Sequence, residues 1–456
     1  VSADDDVSLR TVDEHRLVRL TSIVPDRGGM MDLRSFIGRI ESSGQLARVT
    51  RPVAVVYEIG AVIRALRGRP VLFERVDGHD IPVVSNLCAT RELVCLGIGV
   101  KRKDLYRRLV AAIAEPTRPE IVPAADYREI EPDLSRLPIL TYYPQDAGPY
   151  IASGIAVAND SDYGINLSYH RCLVRSKREL VLRVVERHLH AYMQRGLDRF
   201  ALCIGNSIPV MVAAAISVQL GKSELDLANA LGDTRLVQLP GAVVPQSEIV
   251  LLCRFTGRCA DEGPFLDLTE TYDIVRQQPV AEVERIFVRD NPVYYALLPG
   301  DLEHKVLMGM PRESTIYEEV CRICECLDVR VTRGGCSWLH AAVKIRQRDR
   351  QDGKRAIEAA FRGHSSLKHV FVVDEDVDID DPSAIEWAMA TRFQADRDLV
   401  VKPQQTGSSL DPSSDRDTRQ TAKAGFDLTI PAFERKTMFT RVEPPVRIEL
   451  DDYLSE

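Results

Sequence analysis

From about residue 150 to residue 300 the chain reads as one strand after another, and that block limits the folds open to it. The runs YIASGIAVA (150–158), INLSYHRCLV (165–174), LVLRVV (180–185), IPVMVAAAISV (208–218), EIVLLCRF (248–255) and PVYYALLP (292–299) are short, apolar and punctuated by glycine and proline. That is the pattern of a barrel or sandwich. One stretch breaks the series: SELDLANALG (223–232), where Ser223 can cap a helix and Gly232 can stop it.

The flanks differ. DLRSFIGRIESSGQLARV (32–49) has helical spacing, with Leu33, Phe36, Ile37 and Ile40 on one face. PVLFERV (70–76) and IPVVSNL (81–87) read as strands, and a helix is predicted around 103–113. Prolines cluster at 116–145 and mark a boundary. Beyond 305 the spacing predicts a helix over 313–327, a strand over 338–345, a helix over 355–363 and a strand over 368–376, the βαβ rhythm of a parallel sheet. The stretch 405–423 reads as a loop. The predicted organisation is an extension (1–28), an α/β domain (29–120), a strand-rich domain (121–304), a second α/β domain (305–430) and a tail (431–456).

Composition removes several function classes. A net charge of −8 over 456 residues argues against a nucleic-acid partner, which needs a basic face. No apolar run reaches the roughly 18 residues of a membrane span. VSADDDVSLRTVDEHR is too acidic for a signal or transit peptide, so the cytoplasm is expected. The ten cysteines then read as reduced thiols. A phosphate loop at Gly221-Lys222-Ser223 fails because Ile216 stands where its first glycine belongs, and neither a G-x-S-x-G elbow nor H-E-x-x-H occurs. Cys321-x-x-Cys324, with Cys326 close by, lacks a second ligand pair, and these residues are expected as buried core thiols on one helix.

What survives is a set of polar residues in apolar company. Asn166, His188 and Glu224 supply amide, imidazole and carboxylate donors, a set suited to Mn²⁺ or Mg²⁺. Taken singly, His188 also fits a core histidine and Glu224 a first-turn acid that favours the helix dipole. In ADEGPFLDL (260–268), Glu262 and Asp267 bracket a Gly263-Pro264 turn with Phe265 and Leu266 between them. Acids in turns are commonly solvated, but apolar neighbours can desolvate one and keep it protonated. Arg171 adds a fork that can orient a substrate carboxylate, with a desolvated acid beside it to protonate carbon after CO₂ departs. No side chain stabilises the resulting carbanion, so an electron-sink cofactor is implied.

Asn166-x-Ser168-x-x-Arg171, His188, Glu224 before Ala230-Leu231, Glu262-Gly-Pro-Phe-x-Asp267 and VVDEDVDIDDPSAIEWAMATRFQADRD (372–398) occur in that order. In these motifs the chain resembles the UbiD family of reversible decarboxylases, from about Asp32 to Phe433. The resemblance implies an N-terminal α/β domain, a central flavin-reductase-like split β-barrel and a C-terminal α/β domain ending in a tail helix that makes a homodimer contact. It implies prenylated FMN, supplied by a UbiX-type flavin prenyltransferase, with its phosphate held through Mn²⁺ by Asn166, His188 and Glu224 and with K⁺ nearby. Ser168, Arg187 and Lys344 match cofactor-contacting positions, and Arg171, Glu262 and Asp267 match the catalytic set. Arg187 and Leu266 depart from the residues close family members carry, which bears on pocket shape. The expected substrate is an α,β-unsaturated acid of a natural-product kind, or an aromatic acid. Alternatives are a flavin-dependent oxidoreductase on the same barrel and a non-catalytic binding protein of this fold. Asn166 and Arg171 are an odd number of residues apart, so on a straight strand they would face opposite ways.

Overall fold

The computed structural model describes residues 31–415, 417–431 and 433–442, with positions 446, 448 and 453 beyond them. The expected extension 1–28 lies outside these residues, as does part of the expected tail. Helix α1 (Leu33–Ser42) begins at a capping acid: Asp32 accepts from the Ser35 N–H at 2.9 Å and the Ser35 hydroxyl at 2.6 Å, and Leu33, Phe36 and Ile40 turn inward. After it come β1 (Ala47–Val49), α2 (Glu58–Ala65), β2 (Val71–Phe73), β3 (Val83–Ser85), α3 (Arg91–Ile98) and α4 (Leu105–Ala114). A small mixed sheet joins β1, β2 and β3 to a late strand, Tyr294–Tyr295.

The strand-rich region runs β4 (Glu120–Pro123), β5 (Tyr127–Ile130), β6 (Tyr150–Ile151), β7 (Ile155–Asp160), β8 (Gly164–Tyr169), β9 (Cys172–Val174), β10 (Glu179–Leu182), α5 (His188–Gln194) and β11 (Arg199–Ile204). It continues through α6 (Ile208–Ala214), α7 (Glu224–Leu231), β12 (Arg235–Leu239), β13 (Ala242–Pro245), β14 (Ile249–Glu262), β15 (Phe265–Leu266), β16 (Tyr272–Asp273), β17 (Arg276–Arg289) and β18, the late strand just named. The expected strand at 208–218 is instead helix α6. Every one of its seven residues is buried, so no polar stripe betrays the helix, and Pro209 sits in its first turn, where the missing N–H costs nothing. Helix α7 is as expected, with the Ser223 hydroxyl accepting from the Leu225 N–H at 3.2 Å.

Nine strands form one antiparallel sheet in the order β6-β9-β10-β17-β14-β11-β7-β8, with β5 added on β17. Hydrogen bonds close no barrel among the described strands, so the expected split barrel is observed as an open sheet. It is nevertheless rolled. β8 and β9 lie six strand intervals apart in this order, roughly 29 Å if the sheet were flat. Yet only His170 and Arg171 connect Tyr169 to Cys172, a reach of roughly 11 Å. The sheet therefore curls until the two strands nearly meet, and Arg171 sits on that seam. The strand ends at Tyr169, so the odd spacing of Asn166 and Arg171 poses no conflict.

The last part comprises α8 (Leu302–Cys321), β19 (Glu325–Val331), β20 (His340–Arg346), α9 (Asp352–Gly363), β21 (His369–Asp374), α10 (Pro382–Arg392), α11 (Ala395–Asp398), β22 (Leu399–Thr406) and β23 (Gln420–Asp427). The expected βαβ unit is present, with β20 and β21 parallel around α9, but the whole sheet, β19-β20-β21-β23-β22, is mixed: both outer strands run antiparallel to their neighbours. The expected helix 313–327 stops at Cys321, because the chain turns there and enters β19. Cys321 is exposed and Cys324 half-buried, which leaves Cys326 as the one core thiol of the three. The expected loop 405–423 contains the end of β22 and the start of β23. Of the expected tail helix the described residues hold one 3-10 stretch, Phe433–Met438. No helix among the described residues is long and apolar enough to cross a membrane.

Helix α8 ties these parts together. Buried Glu303 accepts backbone N–H bonds from Asn86 (2.7 Å) and Cys88 (2.6 Å), and buried Glu313 accepts from the Tyr106 hydroxyl (3.0 Å) and the Val331 N–H (2.8 Å) while pairing with Arg91. Burial pushes the Glu303 carboxyl up to about 7, against the opposing pull of its backbone hydrogen bonds. The folded chain therefore keeps a proton that the unfolded chain releases above about 4.5, and stability should fall as pH rises between those values, by up to about 1.4 kcal/mol per pH unit. Thermal midpoints measured across that window should fall less steeply for Glu303→Gln than for the parent. Equal slopes would assign the dependence to other groups.

Candidate active site

Strand β14 delivers Glu262 as its last residue, and the chain then turns at Gly263, whose φ of +96° suits glycine. A Cβ at Gly263 would also meet the Ile274 carbonyl at 3.1 Å. Beyond the turn, β15 and β16 pair as a short hairpin that sets Phe265 opposite Asp273. These pieces converge on the seam arginine. Arg171 donates from Nε and Nη2 to the two oxygens of Glu262, each at 2.9 Å, from Nη1 to Asp267 at 2.5 Å and from Nη2 to Asp273 at 2.8 Å. Its guanidinium lies over the Phe265 ring, 4.8 Å from the centroid.

The electrostatics follow from enclosure. The Glu262 side chain is 0% exposed, against 18% for Asp267 and 12% for Asp273. Burial by itself would depress Arg171, but the charges of Asp267, Glu262 and Asp273 carry it upward. Burial likewise works to raise Asp273, and hydrogen bonds and charge from Arg276 and Arg171 overcome it and hold the carboxyl low. The Tyr150 hydroxyl donates to Glu262 at 3.2 Å and accepts from the Gly263 N–H at 3.1 Å. Burial, then the charge of Glu262, raises that phenol. Asp146, which accepts from the Leu266 N–H, is raised by burial. Half-buried His304, close enough to feel Asp267 and Arg171, is lowered by desolvation.

A second group forms where β8 meets α5 and α7. Asn166 and Glu224 are buried at 2% and 1% exposure. Asn166 Nδ2 lies 3.1 Å from each Glu224 oxygen and 3.3 Å from His188 Nδ1, and the Leu167 N–H donates to Glu224 at 2.9 Å. One amide nitrogen thus stands among these side-chain atoms, with the Leu167 carbonyl oxygen also at 3.5 Å. Turning that amide over presents Oδ1 to the same point, and an oxygen, nitrogen and carboxylate donor set fits Mn²⁺ or Mg²⁺. Ser168 donates to Asn166 Oδ1 at 3.3 Å and contacts His170 Nε2 at 2.9 Å.

The sequence-predicted residues therefore fall into two clusters, with two outliers. Arg187 is exposed and donates to the Ser217 hydroxyl at 3.2 Å. Lys344 lies on β20 in register with Asp328 and Val373, on the same side of the strand as Ala342, and no described hydrogen bond or ion pair joins it to either cluster. Sequence reasoning missed Asp273 and Tyr150. Each is placed by strand pairing, which leaves no fixed spacing to find, although the acid-rich TETYD following ADEGPFLDL was a usable hint.

Comparisons with known proteins agree across the chain. Models of the 3-octaprenyl-4-hydroxybenzoate carboxy-lyase family match as its N-terminal domain (residues 37–113), its Rift-related domain (120–302) and its C-terminal domain (305–428). The anhydromevalonate phosphate decarboxylase of Methanothermobacter thermautotrophicus is 40% identical over 416 residues, covering 88% of this chain and 97% of that protein. The UbiD-class enzyme HmfF from Pelotomaculum thermopropionicum, solved in complex with FMN, superposes with a TM-score of 0.89 at 35% identity, covering 93% of this chain and all of that one. An evolved dimeric form of HmfF in complex with prFMN gives 0.85 at 33% identity over 93% of this chain and all of that one.

The Asn166–His188–Glu224 geometry generates a direct test. If these three residues hold a divalent ion and through it a flavin phosphate, metal analysis of purified His188→Ala should show loss of the ion, and its absorbance spectrum loss of flavin. Full metal content in that variant would remove His188 from the site.

Proposed function

The chain belongs to the UbiD family and is a decarboxylase of that family, and from this premise we propose that it acts on a phosphorylated α,β-unsaturated acid of the anhydromevalonate phosphate kind. An anhydro derivative of a β-hydroxy acid carries its double bond beside the carboxyl group, which suits the expected substrate class. The observation that carries the reading is the buried Arg171–Glu262 pair on the seam of the rolled sheet. We read that sheet as the split barrel of a flavin-binding domain, with prenylated FMN as cofactor, and take the domain boundaries from the sequence pattern. Asn166, His188 and Glu224 would hold its phosphate through Mn²⁺ or Mg²⁺, with Ser168 beside them and K⁺ alongside. When bound, prenylated FMN supplies the electron sink that decarboxylation of an unsaturated acid requires. A UbiX-type prenyltransferase provides it, and the enzyme works in the cytoplasm as a homodimer.

The chain's own residues then have distinct tasks. Arg171 binds the substrate carboxylate by exchanging Asp267 or Asp273, the two partly exposed acids, for it. The planar fork fixes the carboxylate's orientation. Glu262, beside that fork, carries a proton drawn from solvent. The carbon–carboxyl bond breaks, CO₂ leaves, and Glu262 delivers that proton to the carbon that bore it. Asp267 and Asp273 hold Arg171 in place, and Tyr150 orients the Glu262 oxygen it touches.

Glu262→Gln keeps the shape and removes the proton, so turnover should drop by about 10²–10⁴-fold. In D₂O the parent enzyme should place deuterium at the carbon that lost CO₂, and the variant should not. Deuterium installed at the parent rate would mean another group delivers the proton. Arg171→Lys offers a point charge without the fork and should lose about 10²-fold or more.

A further inference from the structure

Buried arginines in this protein hold acids. Arg171, Arg289, Arg330 and Arg392 each pair with at least one carboxylate. Arg312 on α8, half-buried as a residue, has no such partner. Its Nε is enclosed without a hydrogen-bond partner, and its Nη2 reaches only the Ser217 hydroxyl, at 3.4 Å. Arg187 donates to the same hydroxyl at 3.2 Å. Among the described residues neither guanidinium has a carboxylate within ion-pair distance.

We propose that Arg312, Arg187 and Ser217 form the subsite for a phosphate monoester, the phosphate of the substrate. The inference rests on the proposed function and adds the residues that read the far end of the molecule. Two guanidiniums sharing one hydroxyl, with no acid between them, are an arrangement that a dianion completes. Trp338 stands beside them: Arg312 lies over its ring at 5.5 Å, and the ring nitrogen donates to Ser408 at 3.0 Å. His364 meets Trp338 edge-on at 4.6 Å and accepts no charge there, being pushed down to about 3 by burial and by Arg312, Lys423 and Arg187. Burial and the facing charge of Arg187 bring Arg312 itself down to about 10. The local field is positive and uncompensated.

The cluster also lies at a useful place. Trp338 packs against Leu268, the residue after Asp267. His304, beside Asp267, and Arg312 stand on the same helix, eight residues and about 12 Å apart along its axis. A small acid with its carboxylate at Arg171 and a phosphate at the other end of a short carbon chain would engage both. Flavin carries the same chemical group, but the Asn166–His188–Glu224 cluster is the one suited to it.

The test compares anhydromevalonate phosphate with its dephosphorylated acid on the flavin-loaded enzyme. Arg312→Met should lower the ratio of kcat/KM for the phosphorylated over the dephosphorylated acid by about 10- to 100-fold, with flavin content unchanged. Arg187→Gln, at an exposed position that should not disturb folding, should lower it in the same direction. An unchanged ratio in both variants would overturn the proposal, as would loss of flavin with the ratio intact, which would make this the cofactor's phosphate site. If the parent enzyme turns over neither acid, the proposed substrate fails on its own. The cluster is then judged by calorimetry with inorganic phosphate: binding that Arg312→Met abolishes supports it, and no binding to the parent sinks it.

Discussion

The arrangement around Arg171 is the constraint on which the rest of the site depends. One guanidinium is gripped by Glu262 at the end of β14, by Asp267 after β15 and by Asp273 in β16. These acids come from separate pieces of chain, so the arginine fixes the hairpin against the long strand as well as supplying charge. Removing one partner from such a buried group leaves the others uncompensated, which is costly. Arg276, paired with Asp273, keeps part of the excess negative charge in check. The same arginine occupies the two-residue crossing between β8 and β9, so the curl of the sheet and the position of the fork cannot be varied independently.

Much of this was legible in the sequence because it is local. The cap at Ser223, the apolar face of α1 and the turn after Glu262 are each written in a few adjacent residues. The acids of ADEGPFLDL and the donors Asn166, His188 and Glu224 could be singled out as polar groups in apolar surroundings. What failed is non-local. α6 is buried on every side, so it carries no stripe, and its β-branched residues imitate a strand. Asp273 acquires its role through pairing with Phe265, and the pairing of Ser217 with Arg187 and Arg312 bridges residues far apart in the chain. The expected parallel order of the last sheet missed its antiparallel edges, because strand direction at an edge is set by the connection and not by the strand's own residues. Lys344 was placed by resemblance alone, and no described hydrogen bond or ion pair joins it to either cluster.

The two polar clusters also differ in how they are satisfied. Around Arg171 every guanidinium nitrogen has an acid, a closed network that keeps its members in one geometry. Around Asn166 the acceptors outnumber the donors, which is the signature of a place prepared for a cation. At Arg312 the imbalance is reversed, with donors lacking acceptors. A negative lack, a positive lack and a balanced group are three different demands, and on the proposed function each would take a different part of the ligands.

Helix α8 gives this distribution a scale. Its first turn is pinned through Glu303, its middle through Glu313, and between them run His304 and Arg312. On the proposed phosphate subsite, this clamped rod acts as a caliper: it holds Arg312 at a fixed separation from the residues around His304 and Asp267, and so favours one spacing of a ligand's charged ends. One residue added between the jaws would advance the second by about 1.5 Å and swing it about 100° around the axis. New substrate lengths are therefore more readily reached by exchanging the residues on the jaws than by lengthening the rod.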